Sequence, residues 1–216
     1  GDSWQVINTP ASFSWLSSIA ADNNRLVLAS DVNVYTSSNN GVTWTTTPLP
    51  GGFSMKTLVS NGAWYAWLAQ KLYASPDGFL TYTEILDAGS YIQDMASVNG
   101  FLLASANILN RSLQSPIDWQ WVPTDLTGGY AEMETAGNAL FFHSGITVFS
   151  VDEGDTWQLP NPAQQFSDVI FHNNTWYART YYTNEAWQSG NLTDWTLIPT
   201  PLPAGLDSLS RIWDYL

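Results

Sequence analysis

Four ionisable side chains each stand at the same distance ahead of a turn, and groups of these types can bind an ion or transfer a proton. They are Lys56, Asp94, Glu132 and Asp168, and Ser18 holds the same place in the first copy. Each stands five residues before a turn residue, in the order Asn23, Asn61, Asn99, Gly137 and Asn173. Three carboxylates in one column could hold a cation or act as a paired acid and base. The alternative is that these groups line a wet channel and are simply solvated.

A second set of candidates lies in the segment 181–187, where aromatic rings alternate with amide and carboxylate groups. It holds Tyr181, Tyr182, Asn184, Glu185 and Trp187. Sugars stack their C–H faces on such rings while amides and carboxylates take the hydroxyls, and protein interfaces use the same rings as anchors. We therefore predict a ligand-binding loop here. The alternative role of its rings is packing between neighbouring sheets.

Neither histidine stands where a metal ligand would be expected. His143 and His172 fall in different predicted strands, and the sequence has no cysteine and no paired histidine near either one. Zinc sites need closely spaced ligands of these types, so we predict structural histidines and no metal site. No glycine-rich phosphate loop or Gly-x-Ser-x-Gly elbow occurs, and we expect no cofactor.

The elements that must position these residues come from a repeat that runs through the chain. Residues 150–157 read Ser-Val-Asp-Glu-Gly-Asp-Thr-Trp, and residues 37–44 share the frame with asparagine in place of aspartate. A looser copy at 75–82 ends in tyrosine, and two degenerate copies end in tryptophan. The closing aromatic residues, spaced 38, 37, 38 and 38 apart, are Trp44, Tyr82, Trp119, Trp157 and Trp195. So regular a period indicates stacked supersecondary units.

This Ser-x-Asp-x-Gly-x-Thr-Trp frame resembles the Asp-box, or BNR, repeat. That repeat occurs in sialidases, in photosystem-assembly factors and in sortilin-type receptors, all of which are β-propellers. The copies and their flanking strands cover nearly the whole sequence, so the resemblance implies an all-β propeller. It implies little about function, because one fold hosts many activities.

The box residues themselves are predicted to be structural. An aspartate or asparagine side chain accepts hydrogen bonds from nearby backbone amides and fixes a tight turn, and glycine supplies the positive φ that the turn needs. The tryptophan tucks its indole beneath the turn. On this reasoning the structural set is Ser37, Asn39, Gly41, Trp44, Asp77, Asp152, Gly154 and Trp157.

Each repeat contains four short strand-like segments separated by turn signals, which is the pattern of a propeller blade. The predicted blades are 11–50, 51–87, 88–125, 126–161 and 162–201. Two segments remain, at 4–8 and 206–216. We predict one domain over 1–216, with five complete blades and two accessory terminal strands. A six-bladed ring with an incomplete or shared last blade is the alternative.

Two finer expectations concern the strands inside each blade. A small residue recurs in the second strand, where neighbouring blades would approach closely. Its places are Ala29, Ala66, Ala104 and Ala178, and His143 is expected to replace it in the fourth blade. The fourth strand of each blade follows its box, and in the fourth blade it is predicted at 156–160.

The composition excludes two classes of partner. Nineteen acidic residues against six lysine and arginine residues give a net charge of −13. A nucleic-acid or anionic membrane partner needs a basic surface, so neither is expected. No apolar run reaches the roughly 20 residues of a membrane-spanning helix, so we expect no membrane insertion. Few charges among many serine, threonine, asparagine and aromatic residues favour an extracellular, cell-surface or virion-surface protein.

The resemblance raises the expectation of a sialidase, but the arginines argue against one. Sialidases hold the substrate carboxylate with three arginines and attack with a tyrosine activated by a glutamate. The arginines here are Arg25, Arg111, Arg179 and Arg211, of which the first follows a turn and the second lies in a degenerate box. No convincing triad can be assembled from them.

The leading prediction is therefore a non-catalytic surface recognition or assembly module that binds a glycan or a protein. Its partner could be part of a larger surface or virion assembly, since a rigid propeller presents its loops as a binding face. The alternative is a glycoside hydrolase or sialidase-like enzyme in which Glu132, Asp94 and Asp168 are the catalytic carboxylates.

Overall fold

The structure is a computed structural model that describes residues 16–30, 33–50, 56–106, 109–112, 119–121, 132–180, 182–183 and 185–199. Within these ranges every element of regular secondary structure is a β-strand, and the strands form five small antiparallel sheets. The same ranges contain no helix that is long and apolar enough to cross a membrane. The chain divides into two compact units, Gly1–Ile92 and Gln93–Leu216. The all-β class predicted from the repeats is confirmed.

The first unit holds two four-stranded sheets whose strands follow one another in sequence order. The first sheet consists of β1 (Ser18–Asp22), β2 (Arg25–Ser30), β3 (Asn33–Ser37) and β4 (Thr45–Pro48). The second consists of β5 (Lys56–Ser60), β6 (Ala63–Leu68), β7 (Lys71–Ser75) and β8 (Thr83–Asp87). One buried core joins them, with Val27, Ala29 and Val34 from the first and Trp64, Ala66 and Tyr73 from the second.

The second unit holds three further sheets. The third sheet consists of β9 (Asp94–Val98), β10 (Phe101–Ser105), β11 (Leu109–Ser112) and β12 (Trp119–Trp121). The fourth consists of β13 (Glu132–Ala136), β14 (Ala139–Ser144) and β15 (Ile146–Ser150). The fifth consists of β16 (Phe166–His172), β17 (Thr175–Thr180), β18 (Ala186–Ser189) and β19 (Thr196–Leu197).

The hairpins that open the sheets turn at the residues that the sequence predicts. Asn61 and Gly62 have φ values of 49° and 73°, and Asn173 and Asn174 have values of 47° and 59°. Two successive residues with positive φ are the mark of a type I′ turn, which asparagine and glycine favour. The corresponding turn residues Asn23, Asn99 and Gly137 also have positive φ. These short turns fix which residues face each other across each hairpin.

The register of the fourth sheet differs from the prediction for His143. Three of the predicted small residues are fully buried and occupy the same place in their sheets. Each pairs with the residue that directly follows the ionisable residue of its hairpin, and they are Ala66, Ala104 and Ala178. In the fourth sheet that place belongs to Phe142, which pairs with Met133, whereas His143 pairs with Glu132. The prediction is also wrong for Ala29, which pairs with Ser18. Ala29 and His143 each stand six residues after their turn residue, whereas the other alanines stand five, so both lie opposite the ionisable column itself.

The fourth sheet has three strands where four are predicted. In place of a strand at 156–160 there is a single bridge, in which Phe149 and Gln158 exchange two hydrogen bonds of 2.9 Å. Pro160 has no N–H with which to extend the ladder. Asn161 then accepts a hydrogen bond of 2.8 Å from the N–H of Trp195. The segment therefore leaves the fourth sheet and joins the fifth.

The two faces of the fourth sheet pack against different neighbours. One face packs on the third sheet through Met133, Leu140, Phe142 and Val148. The other packs on the fifth sheet, whose buried residues there include Phe166, Val169 and Trp195, through Ala136, Phe141 and Phe149. Side chains alternate between faces along a strand, and directly paired residues share a face. Glu132, Glu134 and His143 therefore lie on the face that meets the fifth sheet.

The segments predicted as terminal strands, 4–8 and 206–216, lie outside the described residues. The number of blades, the closure of a ring and the extent of a single domain therefore stay predictions.

Candidate functional site

The turns formed by the Ser-x-Asp-x-Gly-x-Thr-Trp frame, called boxes below, share a hydrogen-bond pattern that the first box shows in full. Ser37 Oγ accepts from the N–H of Asn39 at 3.3 Å and of Gly41 at 2.8 Å. Asn39 Oδ1 accepts from the Ser37 hydroxyl and from the Thr43 N–H, both at 2.9 Å. The Trp44 indole N–H donates to the Gly41 carbonyl at 3.1 Å, and Gly41 has a φ of 85°. These residues all hold their own turn.

The box that follows β15 repeats the pattern with aspartate. Asp152 accepts from the Thr156 N–H at 2.9 Å, from the Thr156 hydroxyl at 2.6 Å and from the Ser150 hydroxyl at 2.8 Å. Burial alone would raise the pKa of Asp152, but these hydrogen bonds outweigh it and hold the pKa below the ordinary value of 3.8. Gly154 has a φ of 87°, and a Cβ there would lie 2.7 Å from Leu103 Cδ2. Asp152 thus holds the turn through its hydrogen bonds, and Gly154 adopts the positive φ of the turn without strain.

The tryptophan of this box contributes by packing. The Trp157 ring meets Phe142 edge-on, with ring centroids 6.0 Å apart. It borders the core between the third and fourth sheets. Its buried indole N–H has no hydrogen-bond acceptor among the described residues, unlike that of Trp44.

The second box departs from the frame at its glycine. Asp77 accepts from the Thr81 N–H at 2.9 Å and from the Thr81 hydroxyl at 2.8 Å. Burial alone would raise the pKa of Asp77, but the hydrogen bonds from Thr81 and Ser75 outweigh this effect and hold the pKa below 3.8. Phe79 occupies the place that glycine holds in the other boxes, with a φ of 70° and a fully buried ring. Burial in the core therefore holds an aromatic residue in a backbone conformation that it rarely adopts.

The ionisable column is divided between the two units: Lys56 lies in the first, and Asp94, Glu132 and Asp168 lie in the second. Asp94 Oδ2 accepts from the Met133 N–H at 2.9 Å, so this carboxylate links the third sheet to the fourth. Asp168 pairs across the strands with Arg179, which places a guanidinium group on the same face. Glu132 is exposed and lines a cavity.

That cavity, of about 240 Å³, lies between the fourth and fifth sheets of the second unit. It is lined by Glu132, His143, Gly145, Gln165, Phe166, Ser167 and Tyr182. Glu132 begins β13, Gly145 turns β14 into β15, and Tyr182 follows β17. The structure therefore brings together Glu132 from the ionisable column and Tyr182 from the predicted loop.

A hydrogen-bonded chain of three side chains supports the cavity wall at His143. Glu134 Oε1 lies 3.1 Å from His143 Nε2, and Thr147 Oγ1 lies 3.0 Å from His143 Nδ1. The fully buried Thr147 hydroxyl also accepts from the Phe166 N–H at 2.7 Å. In the neutral imidazole, Nε2–H donates to Glu134 and the Thr147 hydroxyl donates to Nδ1. Both ring nitrogens are thus engaged, and His143 lines the cavity as a fixed ring.

Of the described residues of the predicted binding loop, only Tyr182 lines the cavity. It is 80% exposed. The Glu185 carboxylate accepts from the Thr183 hydroxyl at 2.9 Å and so holds its own loop. Trp187 is half-buried and packs against the core between the fourth and fifth sheets, away from the cavity lining. Tyr181 and Asn184 lie outside the described residues.

The lining offers a carboxylate, a phenol ring, an amide and a hydroxyl to a ligand. Sequence reasoning missed His143, Gln165 and Ser167 as lining residues. The register of β13 and β14 places His143 beside Glu132, and that signal was available in the turn spacing. No local signal marks Gln165 or Ser167, because only the packing of two sheets brings them there. No group of three metal-ligating side chains occurs in the described part of the chain.

No family model matches this sequence, and no curated protein matches it. Solved structures do match. YCF48 bound to D1 peptide gives a TM-score of 0.64 at 16% identity, covering 89% of this chain and 69% of that one. YCF48 from Cyanidioschyzon merolae gives 0.66 at 12% identity, covering 92% and 76%. The GH74 enzyme of Niastella koreensis gives 0.62 at 16% identity, covering 86% of this chain and 31% of the enzyme.

At such identities the likeness concerns the fold alone. It supports the β-propeller that the repeats predict.

Proposed function

We propose that this chain is a non-catalytic β-propeller module that binds a protein partner through the face that holds the Glu132–Tyr182 cavity. The observation that carries the proposal is Tyr182, which is 80% exposed and lines a cavity formed by strand ends and a loop. Exposed tyrosine rings beside concave surfaces are typical anchors of protein interfaces. A structure of the same fold, YCF48, is bound to a D1 peptide, which supports a protein ligand here.

We further infer that the repeats are Asp boxes and that the chain forms five blades. Four described turns share the hydrogen bond from the serine to the aspartate or asparagine, and five sheets follow the predicted period. The segments at 4–8 and 206–216 would serve as accessory strands. A six-bladed ring with a shared last blade remains the alternative.

The hydrolase alternative has less support. A glycoside hydrolase needs two carboxylates that act on one substrate. Of the three candidates, Glu132 lines the cavity, Asp94 is bonded to the Met133 N–H, and Asp168 lies across from Arg179. Turnover of any member of a chromogenic glycoside panel, lost in Glu132→Gln, would establish the enzyme instead.

Selection of a displayed random peptide library on the purified full chain tests the binding function. We expect selected peptides to lose at least about tenfold in affinity for Tyr182→Ala, because loss of an interface anchor typically costs more than 1 kcal/mol. Tyr91→Ala is the matched control, since Tyr91 is 51% exposed and belongs to the first unit. Peptides that bind both variants as well as the unaltered chain would contradict the proposed face.

A further inference from the structure

Resting on the proposed binding function, we propose that the cavity receives the side chain of an arginine or lysine of the partner protein. The cavity would then decide which sequences the module accepts. The inference depends on three features of the lining: an uncommitted carboxylate, an exposed aromatic ring and a volume suited to one long side chain.

The uncommitted carboxylate belongs to Glu132. Its side chain is exposed at the cavity, and in the described part of the chain it has neither a hydrogen bond nor an ion pair. The nearby Glu134 is different, because its carboxylate is already taken by His143 at 3.1 Å. His143 in turn has both nitrogens engaged, so it does not neutralise Glu132 by a direct bond. A ligand that satisfies Glu132 must bring a hydrogen-bond donor, and a charged donor binds most strongly.

The aromatic ring belongs to Tyr182, which lines the same cavity and is 80% exposed. A guanidinium or ammonium group placed over a phenol face is attracted by the negative face of the ring. Arginine can stack on the ring and bond a carboxylate through its fork at the same time. The pairing of Tyr182 with Glu132 therefore suits a cation better than either residue would alone.

The remaining lining agrees with a side chain of this kind. A volume of about 240 Å³ holds one long side chain, and Gln165 and Phe166 also line the cavity. The net charge of −13 favours the approach of cations and opposes anions. A neutral sugar could stack on Tyr182 and donate a hydroxyl to the Glu132 carboxylate, but it brings no charge of its own. A positive charge on the ligand is thus the property that separates the two ligands.

The test uses the peptides selected on the full chain as described above, followed by synthetic analogues. We expect arginine or lysine to be enriched at one peptide position over the input library. Replacing that arginine with citrulline, or Glu132 with glutamine, should each weaken binding about tenfold, as expected for one charge-assisted contact. Glu153→Gln is the matched control, because Glu153 lies on a box turn of the same unit and loses the same charge.

The two proposals fail in different ways. Tyr182-dependent peptides without an enriched basic residue, or basic peptides that bind Glu132→Gln as tightly as the unaltered chain, would overturn the cation site and leave the binding face standing. Peptides whose binding depends on neither Tyr182 nor Glu132 would overturn both. A glycan that binds the cavity with equal affinity in Glu132→Gln would also overturn the cation site.

Discussion

At the scale of single residues, the first box has Asn39 where the box after β15 has Asp152. An amide nitrogen thus replaces one carboxylate oxygen, and variants of Asp152 test what that oxygen contributes. Asp152→Ala removes the acceptor for Thr156 and Ser150 and should lower the free energy of unfolding by about 1–2 kcal/mol. Asp152→Asn should cost only a few tenths, because Asn39 makes the same bonds through Oδ1 and donates to Thr43 Oγ1 at 2.9 Å. Urea unfolding measures both, and equal losses would contradict this role.

The same carboxylates make stability depend on pH. The folded pKa values of Asp77 and Asp152 lie below 3.8, so the unfolded chain binds more protons in acid. Their contribution is therefore present above about pH 4 and is lost as the pH falls through the folded values. We expect the urea midpoint of the Asp77→Asn, Asp152→Asn double variant to fall less between about pH 6 and about pH 2.5 than that of the unaltered chain. Parallel pH profiles would show that these hydrogen bonds do not discriminate between the charged and neutral groups.

At the scale of elements, Thr147 joins the fourth sheet to the fifth. Its buried hydroxyl accepts from the Phe166 N–H and reaches His143 Nδ1, so Thr147→Val leaves a buried donor without a partner. Such a loss costs about 1–3 kcal/mol. We expect lower stability and faster hydrogen exchange of the Phe166 amide in this variant.

Thr147→Ser provides the control for this link. It keeps the hydroxyl and removes one methyl group, which should cost about 0.8 kcal/mol and leave the Phe166 amide protected. If the Phe166 amide exchanges equally fast in both variants, the hydroxyl is not what holds the two sheets together.

The elements were largely predictable from local chemistry, and the exceptions arose where distant segments compete. Asn61 and Asn173 fix two-residue turns by their own φ preference, so the hairpins could be placed from sequence. The strand predicted at 156–160 reads well locally, but Pro160 cannot extend the ladder and Asn161 bonds instead to Trp195. Nothing in the segment itself reveals that competing partner.

At the scale of the whole molecule, the candidate site was predictable only in part. Glu132 and Tyr182 were both singled out, one from a column and one from a loop, but the packing of the fourth sheet on the fifth is what places them at one cavity. Trp187 looked equally suited to a ligand, yet its ring packs against the core. Residue type predicts what a side chain can do, whereas its neighbours across sheets decide whether a ligand can reach it.

The net charge gives the whole molecule a property that no single residue has. Nineteen acidic side chains against six basic ones give the molecule a net negative field, which attracts cations. Salt screens this field, since the Debye length falls from roughly 20 Å at about 20 mM salt to roughly 4 Å at about 500 mM. Binding of an arginine peptide should therefore weaken as salt is added, beyond what the contact with Glu132 alone would show.

A titration of the chain with the fluorescent peptide Gly-Gly-Arg-Gly-Gly, followed by anisotropy, measures this effect. We expect its dissociation constant to rise about three- to tenfold between low and high salt, while that of the citrulline analogue changes little. Glu132→Gln should bind the arginine peptide more weakly but keep part of the salt dependence, because the other carboxylates remain. If salt has no effect on the arginine peptide, or weakens the citrulline analogue equally, the charge of the molecule plays no part in selecting its partner.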